Sequence, residues 1–70
     1  MQTIKQLREA RGWTQLALAN KLGITPSTVY KWEAGRNEPK VMQLRAVAKV
    51  FGVSSDDIAL VGGQESKKAA

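Results

Sequence analysis

Three side chains that could bind a charged partner recur at helical spacing near the middle of the sequence. Ser27, Tyr30 and Lys31 lie three and four residues apart, so a helix would place all three on one face. The chain contains no Cys and no His, which excludes disulfides, thiolate metal sites and His-based catalysis. Because the sequence shows no nucleophile–base pair and no cluster of metal ligands, it predicts a binding protein that needs no metal or cofactor, and not an enzyme.

The charge of the chain favours a polyanionic partner. Its 70 residues carry 11 Lys and Arg against 6 Asp and Glu, a net charge of +5. Between Ala10 and Asn37 the only acid is Glu33. A small basic domain of this kind suits a nucleic acid or an anionic membrane surface. The longest apolar runs span four residues, whereas a membrane-spanning helix needs about 20, so no membrane segment is expected and the predicted location is cytoplasmic.

Capping residues divide the chain into short helices that would position these side chains. Thr3 with Gln6, Thr14, and Thr25 followed by Pro26 each have the spacing of a helix start. Glycines stand where the helices should stop; they are Gly12, Gly23, Gly35 and Gly52. A fourth helix is expected from about Lys40 to Phe51, with apolar residues facing inward at positions 41, 44, 47, 48 and 51. A short fifth helix would open at Ser54 with a capping box to Asp57.

The resulting prediction is an all-α domain, a compact bundle of five short helices over residues 1–61. Residues 62–70 lack apolar periodicity and are expected to form a disordered tail. The most specific local feature is the short turn at Gly23 between the second and third helices. Two helices joined so closely must cross steeply, as in a helix-turn-helix whose second helix enters the major groove of DNA. An ordinary helical corner would have the same turn.

A set of residues stands in fixed register across this turn: Gln15, Leu18, Ala19, Gly23, Val29, Trp32, Glu33, Gly35 and Pro39. Their pattern resembles a known family, the Cro/C1-type (XRE-family) helix-turn-helix of bacterial and phage transcriptional regulators. The resemblance implies a lambda-repressor-like fold and sequence-specific binding of double-stranded DNA. It also implies a nucleoid-associated regulator that binds a two-fold symmetric operator as a homodimer.

The family's DNA contacts can be placed on individual residues. Base edges would be read by Pro26, Ser27 and Lys31, with Tyr30 beside them. Lys donates to guanine, and Ser can bond to several bases, whereas Pro26 can offer only van der Waals contact. Tyr30 could also be an ordinary surface aromatic. DNA phosphates would be contacted by Gln15, Thr28, Arg36 and Lys40, although each of these could be a solvated surface group.

Glu33 falls on the apolar side of the third helix, where a lone carboxylate would be costly. The family places an Arg from the first helix against this acid, which here is Arg8. We therefore expect a buried Arg8–Glu33 pair that ties the first helix to the third.

Two apolar pairs of residues could bind other proteins. Leu16 and Ala17 replace residues that are usually polar in the family, so they could form an exposed patch that binds a partner protein such as a toxin. That patch supports an alternative function, a protein-interaction module on the same scaffold. Leu60 and Val61, expected near the end of the last helix, are the predicted dimer contact.

Overall fold

The structure, a computed structural model, describes residues 1–61. Four α-helices make up most of this part of the chain: α1 is Ile4–Ala10, α2 is Gln15–Leu22, α3 is Pro26–Glu33 and α4 is Val41–Phe51. A single 3-10 turn at Ser55–Asp57 follows, and two short strands, β1 (Gln2–Thr3) and β2 (Ile58–Ala59), lie at the two ends. The predicted tail at 62–70 lies outside the described residues.

The first three helices begin as their capping residues predict. The Thr3 hydroxyl accepts from the Gln6 amide at 3.1 Å, and the Gln6 side chain accepts from the Thr3 amide at 2.9 Å, which is a complete capping box. The Thr14 hydroxyl caps α2 by accepting from Ala17. Thr25 caps α3, with Pro26 at the first helical position, where its missing amide costs nothing. These contacts fix where each helix enters the bundle.

Helix α4 starts differently from the others. The Lys40 side chain has no acceptor atom and provides no cap; instead, the Gln43 side chain accepts from the Lys40 amide at 2.8 Å. The prediction that Val41 faces inward is wrong, because this residue is 68% exposed. It lies in the first turn of α4, before the helix reaches the core at Val47, Ala48 and Phe51.

The predicted fifth helix is not observed. The chain makes only one 3-10 turn, and the Ser54 hydroxyl accepts from Asp56, at 3.2 Å, and not from Asp57. The backbone then extends, and β2 pairs with β1 in parallel, with Gln2 opposite Ile58. This pairing satisfies backbone groups that the end of a short helix would leave open. It also means that Leu60 and Val61 follow a strand and do not end a helix.

The core lies where α2, α3 and α4 meet. Leu18, Val29 and Val47, one from each helix, are fully buried. The rest of the buried apolar set comes from all parts of the chain: Ile4, Leu7, Ala19, Trp32, Ala48, Phe51 and Ile58. None of the helices in residues 1–61 combines the length and the apolar character that crossing a bilayer requires.

A left-handed glycine sets the angle between α2 and α3. Gly23 has φ +71°, a conformation that glycine adopts without steric cost. Just after it, the Ile24 amide donates to the Ala19 carbonyl at 3.0 Å, which closes the end of α2. Thr25 is the last residue before α3 and caps it, so the two helices pack closely around a three-residue connection.

Candidate nucleic-acid interface

Helix α3 has one buried face and one exposed face. Val29 is fully buried and Trp32 is 4% exposed, so these two side chains anchor the helix in the core. The predicted base-reading residues all lie on the exposed side; they are Pro26, Ser27, Tyr30 and Lys31. Tyr30 exposes 51% of its surface. The structure therefore brings these four residues together on one accessible helix face.

Thr28 occupies the edge between the two faces. It is half-buried, and its hydroxyl lies 3.0 Å from the hydroxyl of Thr25. This hydroxyl is therefore already paired inside the α3 cap. If Thr28 also contacts a DNA phosphate, as predicted, its hydroxyl would have to make that contact in addition to the hydrogen bond with Thr25.

A buried carboxylate joins three helices behind the exposed face. Glu33 accepts from Arg8 Nε at 2.7 Å and from Arg8 Nη2 at 3.0 Å, and it accepts from Gln15 Nε2 at 3.0 Å. The Glu33 side chain is 5% exposed and the Arg8 side chain 11%. Two parallel N–H···O bonds between a guanidinium and a carboxylate are the strongest form of such a pair. Glu33 thus links α1, the start of α2 and the end of α3.

Arg8 also fixes the loop between α1 and α2. Its Nη1 donates to the Trp13 carbonyl at 2.7 Å. The hydrogen bond to Glu33 raises the pKa of Arg8 above its ordinary value, against the lowering effect of burial. The guanidinium therefore stays charged and holds the loop, α2 and α3 in one geometry.

Gln15 has a partner that its sequence position does not reveal. The pattern predicted a phosphate contact, and the structure places its amide nitrogen against Glu33. An amide nitrogen carries two hydrogens, so one remains for an outside acceptor. Gln15 lies at the first position of α2, next to backbone amides that can bind an anion. The same side chain thus joins the buried network to the surface at the start of α2.

The two other predicted phosphate ligands lie in the connection between α3 and α4. Arg36 and Lys40 are both exposed, and the buried Pro39 anchors the segment between them. The Arg36 amide donates to the Lys31 carbonyl at 2.9 Å, so this loop begins directly at the end of α3. Both exposed cations therefore belong to the segment that joins the end of α3 to the start of α4.

Two cations of the basic segment lie over aromatic rings, a contact that the sequence does not indicate. The Lys21 ammonium lies 4.6 Å from the centre of the Trp13 ring, and the Arg11 guanidinium lies 5.5 Å from it. Arg11 also donates to the Phe51 carbonyl at 2.7 Å. Trp13 itself stacks on Phe51 at 5.4 Å between ring centres. This cluster joins the end of α1 to the end of α4 and holds both cations against aromatic rings.

The residues considered for protein contacts lie elsewhere. Leu16 is 56% exposed and Ala17 is half-buried. Leu60 packs against the core, and Val61 is 41% exposed and lies beside Gly35. Leu60 and Val61 therefore cover their own domain as well as facing outward.

Two short helices joined by a tight turn, the second with a buried anchor face and an exposed polar face, are the arrangement of a helix-turn-helix. The family profile described as Helix-turn-helix matches residues 4–58, and the chain belongs to this family.

Named regulators are among its relatives. The chain is 34% identical over 62 residues to the HTH-type transcriptional activator BcrR of Enterococcus faecalis, a match that covers 89% of this chain and 29% of that protein. It is 36% identical over 55 residues to the uncharacterised HTH-type transcriptional regulator MJ0272 of Methanocaldococcus jannaschii, covering 79% of this chain and 83% of that protein. The chain therefore spans most of one relative and less than a third of the other.

A solved structure shares the same domain. The chain superimposes on the structure of hydroxypropylphosphonic acid epoxidase from S. wedmorenis with a TM-score of 0.69 and 41% identity, over 76% of this chain and 28% of that one. Most of the epoxidase chain lies outside the match. The shared part is the helical domain described above.

Proposed function

We propose that this domain binds double-stranded DNA in a sequence-specific manner, as part of a bacterial or phage transcriptional regulator, with α3 in the major groove. The observation that carries the proposal is the division of α3. Val29 and Trp32 are buried, and Glu33 is held by two helices, while Ser27 and Lys31 are exposed. A helix fixed so firmly on one side can present the other side to base edges at a constant angle.

The exposed side chains suit different parts of the DNA. Lys31 can donate to the O6 and N7 atoms of guanine, and Ser27 can bond to several bases. Tyr30 can pack on a thymine methyl group or donate to a phosphate. Pro26 lacks an amide and a polar side chain, so its contact would be van der Waals only. Lys31 and Ser27 would therefore carry most of the base discrimination.

The phosphate contacts would set the position of the domain without reading sequence. Gln15 and the free amides at the start of α2 would hold one phosphate. Arg36 and Lys40, in the loop after α3, would hold others, with Thr28 at the edge of the helix. Because Gln15 is bonded to Glu33, the phosphate contact and the orientation of α3 would be coupled through one carboxylate.

One such module reads few bases, so useful specificity favours a homodimer on a two-fold symmetric operator. Its half-sites would lie roughly 34–36 Å apart. Leu60 and Val61 are the proposed contact between the two copies, with the 41% exposed Val61 providing the apolar surface. A regulator of this kind would act on the nucleoid in the cytoplasm.

The test is selection from a random double-stranded DNA library, followed by a salt titration of the enriched sequence. We expect one motif, and a plot of log K against log salt that falls by about 0.9 for each phosphate contact. Gln15→Ala should weaken every sequence to a similar degree, because Arg8 still holds Glu33 through two hydrogen bonds and the lost phosphate contact carries no base information. If no motif is enriched and the salt slope is shallow, the DNA proposal is wrong.

One observation supports a second function. Leu16 exposes 56% of its surface on α2, at a position where the family is usually polar. If the library yields no motif, a protein-interaction module that uses Leu16 and Ala17 becomes the better proposal. Leu16→Gln should then abolish binding to that partner and leave the melting temperature within a few degrees of the wild type, because the side chain is outside the core.

A further inference from the structure

Helix α4 carries an exposed apolar surface on the side of Met42. Met42 is 75% exposed and stands between two grooves. The first groove, of about 160 Å³, runs towards α2 and the turn, with Leu22 and Ile24 in its wall. The second, of about 520 Å³, runs towards Val53. Both share Met42 and Ala46, so they form one continuous and mostly apolar surface, called the Met42 surface below.

This surface is distinct from the exposed face of α3. None of the residues proposed to contact DNA lines either groove. An exposed Met flanked by apolar walls is typical of a protein-binding surface, since the flexible thioether adapts to different partners. An apolar surface along a helix suits another helix that packs an apolar face at positions i, i+3 or i+4, and i+7 against it.

The charges around the Met42 surface indicate the chemistry of its partner. Arg45 and Lys49 line the second groove one helical turn apart, and both are exposed. Neither cation has an ion-pair partner within residues 1–61, and no Asp or Glu of that range lines either groove. A partner with carboxylates beside its apolar stripe would therefore be complementary in charge as well as in shape.

The same charges argue against a second copy of this chain at this surface. In a two-fold contact each residue meets the same patch on the other copy. Docking two Met42 surfaces would therefore bring two Arg45 and two Lys49 side chains together. Such like-charge contacts are unfavourable. An acidic helix avoids this repulsion and would pair with both cations.

We propose that the Met42 surface binds an acidic amphipathic helix of another protein, with apolar side chains in the two grooves and carboxylates against Arg45 and Lys49. This contact would use different residues from those proposed to bind DNA.

The experiment is a display selection of random 16-residue peptides on the full 70-residue chain, with the Met42→Glu variant as the counter-target. Met42→Glu should fold normally because the side chain is exposed. We expect enriched peptides with helical apolar spacing and an excess of Asp and Glu. Their affinity should fall more than about tenfold with Met42→Glu, as for a central anchor, and about two- to fivefold with Arg45→Ala or Lys49→Ala, as for exposed ion pairs.

A matched control and four outcomes decide the proposal. Lys5→Ala removes the same charge from α1, outside both grooves, and should leave peptide affinity unchanged. The proposal is wrong if no peptide family is enriched, or if the enriched peptides are basic or uncharged. Equal binding to Met42→Glu also overturns it. Sedimentation would show the remaining alternative: a dimer of the chain that Met42→Glu abolishes would assign this surface to a second copy.

Discussion

Replacing Glu33 by Gln tests the buried network most severely. The carboxylate accepts three hydrogen bonds and neutralises Arg8, whose side chain is only 11% exposed. Gln keeps the shape but removes the charge, so a guanidinium would remain in the interior without its counter-ion. Removing one member of a buried pair costs about 3–5 kcal/mol. For a domain of this size each kcal/mol lowers the melting temperature by about 4–8 °C, so the lower limit corresponds to a fall on the order of 12–24 °C.

The assay is thermal and urea unfolding followed by circular dichroism and by Trp fluorescence. Glu9→Gln is the matched control, because Glu9 also lies near Arg8, at 4.0 Å, but its side chain is 57% exposed. We expect the control to change the free energy of unfolding by less than about 0.5 kcal/mol. The double variant Arg8→Met with Glu33→Leu should recover much of the loss, since apolar residues can replace a buried pair.

Two results would refute this reasoning. If Glu33→Gln melts within a degree or two of the wild type, the pair does not tie α1 to α3. If Glu33→Gln and Glu9→Gln lose the same stability, burial does not determine the strength of the contact. A Glu33→Gln variant that is as stable as the wild type but binds DNA more weakly would mean that Glu33 orients α3 without stabilising the fold.

Three further predictions concern stability. Gly35 and Gly52 both have a left-handed φ, +76° and +70°, but only at Gly35 would a new Cβ lie 3.1 Å from a side-chain atom, Val61 Cγ1. In urea unfolding we therefore expect Gly35→Ala to lose about 1 kcal/mol more of the free energy of unfolding than Gly52→Ala loses. Equal losses would contradict this contact. Lys40→Ser should add about 0.5–1 kcal/mol to the free energy of unfolding by supplying the missing cap of α4, and it should reduce the salt slope of DNA binding by about 0.9. A change in the thermal melt without a change in the salt slope, or the reverse, would show that the residue has only one of these roles. Thr3→Ala should cost about 1 kcal/mol through the lost cap, measured by urea unfolding, and no change would mean that the cap of α1 frays.

The sequence predicts the helix-turn-helix unit well because its boundaries depend on local contacts. Thr14 and Thr25 mark helix starts through hydrogen bonds that span only three residues, and Pro26 marks one because its missing amide costs nothing at the first helical position. Gly23 stops α2 through its own φ angle. The alternation of buried and exposed positions on α3 follows from helical periodicity alone. The division of α3 between core and surface could therefore be predicted from the sequence.

Apart from the Arg8–Glu33 pair, which the family resemblance implies, contacts between distant segments could not be predicted from the sequence. Ile58 and Ala59 extend to pair with Gln2 and Thr3, and two residues are too few to show an alternating pattern. Capping chemistry at Ser54 suits a 3-10 turn as well as the start of an α-helix, so a fifth helix was predicted in error. The bond from Gln15 to Glu33 likewise depends on how α2 and α3 cross, which no local pattern records.

Base preference measured for Lys31→Ala tests the role of α3 most directly. Lys21→Ala is the control, because it removes the same charge from the same helix pair but its ammonium already lies over Trp13. Every single-base variant of the enriched site would be titrated with each protein. We expect Lys31→Ala to lose about 1–3 kcal/mol of discrimination at one or two positions and Lys21→Ala to keep the preferences of the wild type. Unchanged preferences with Lys31→Ala, or equal changes with both variants, would contradict base reading by this face.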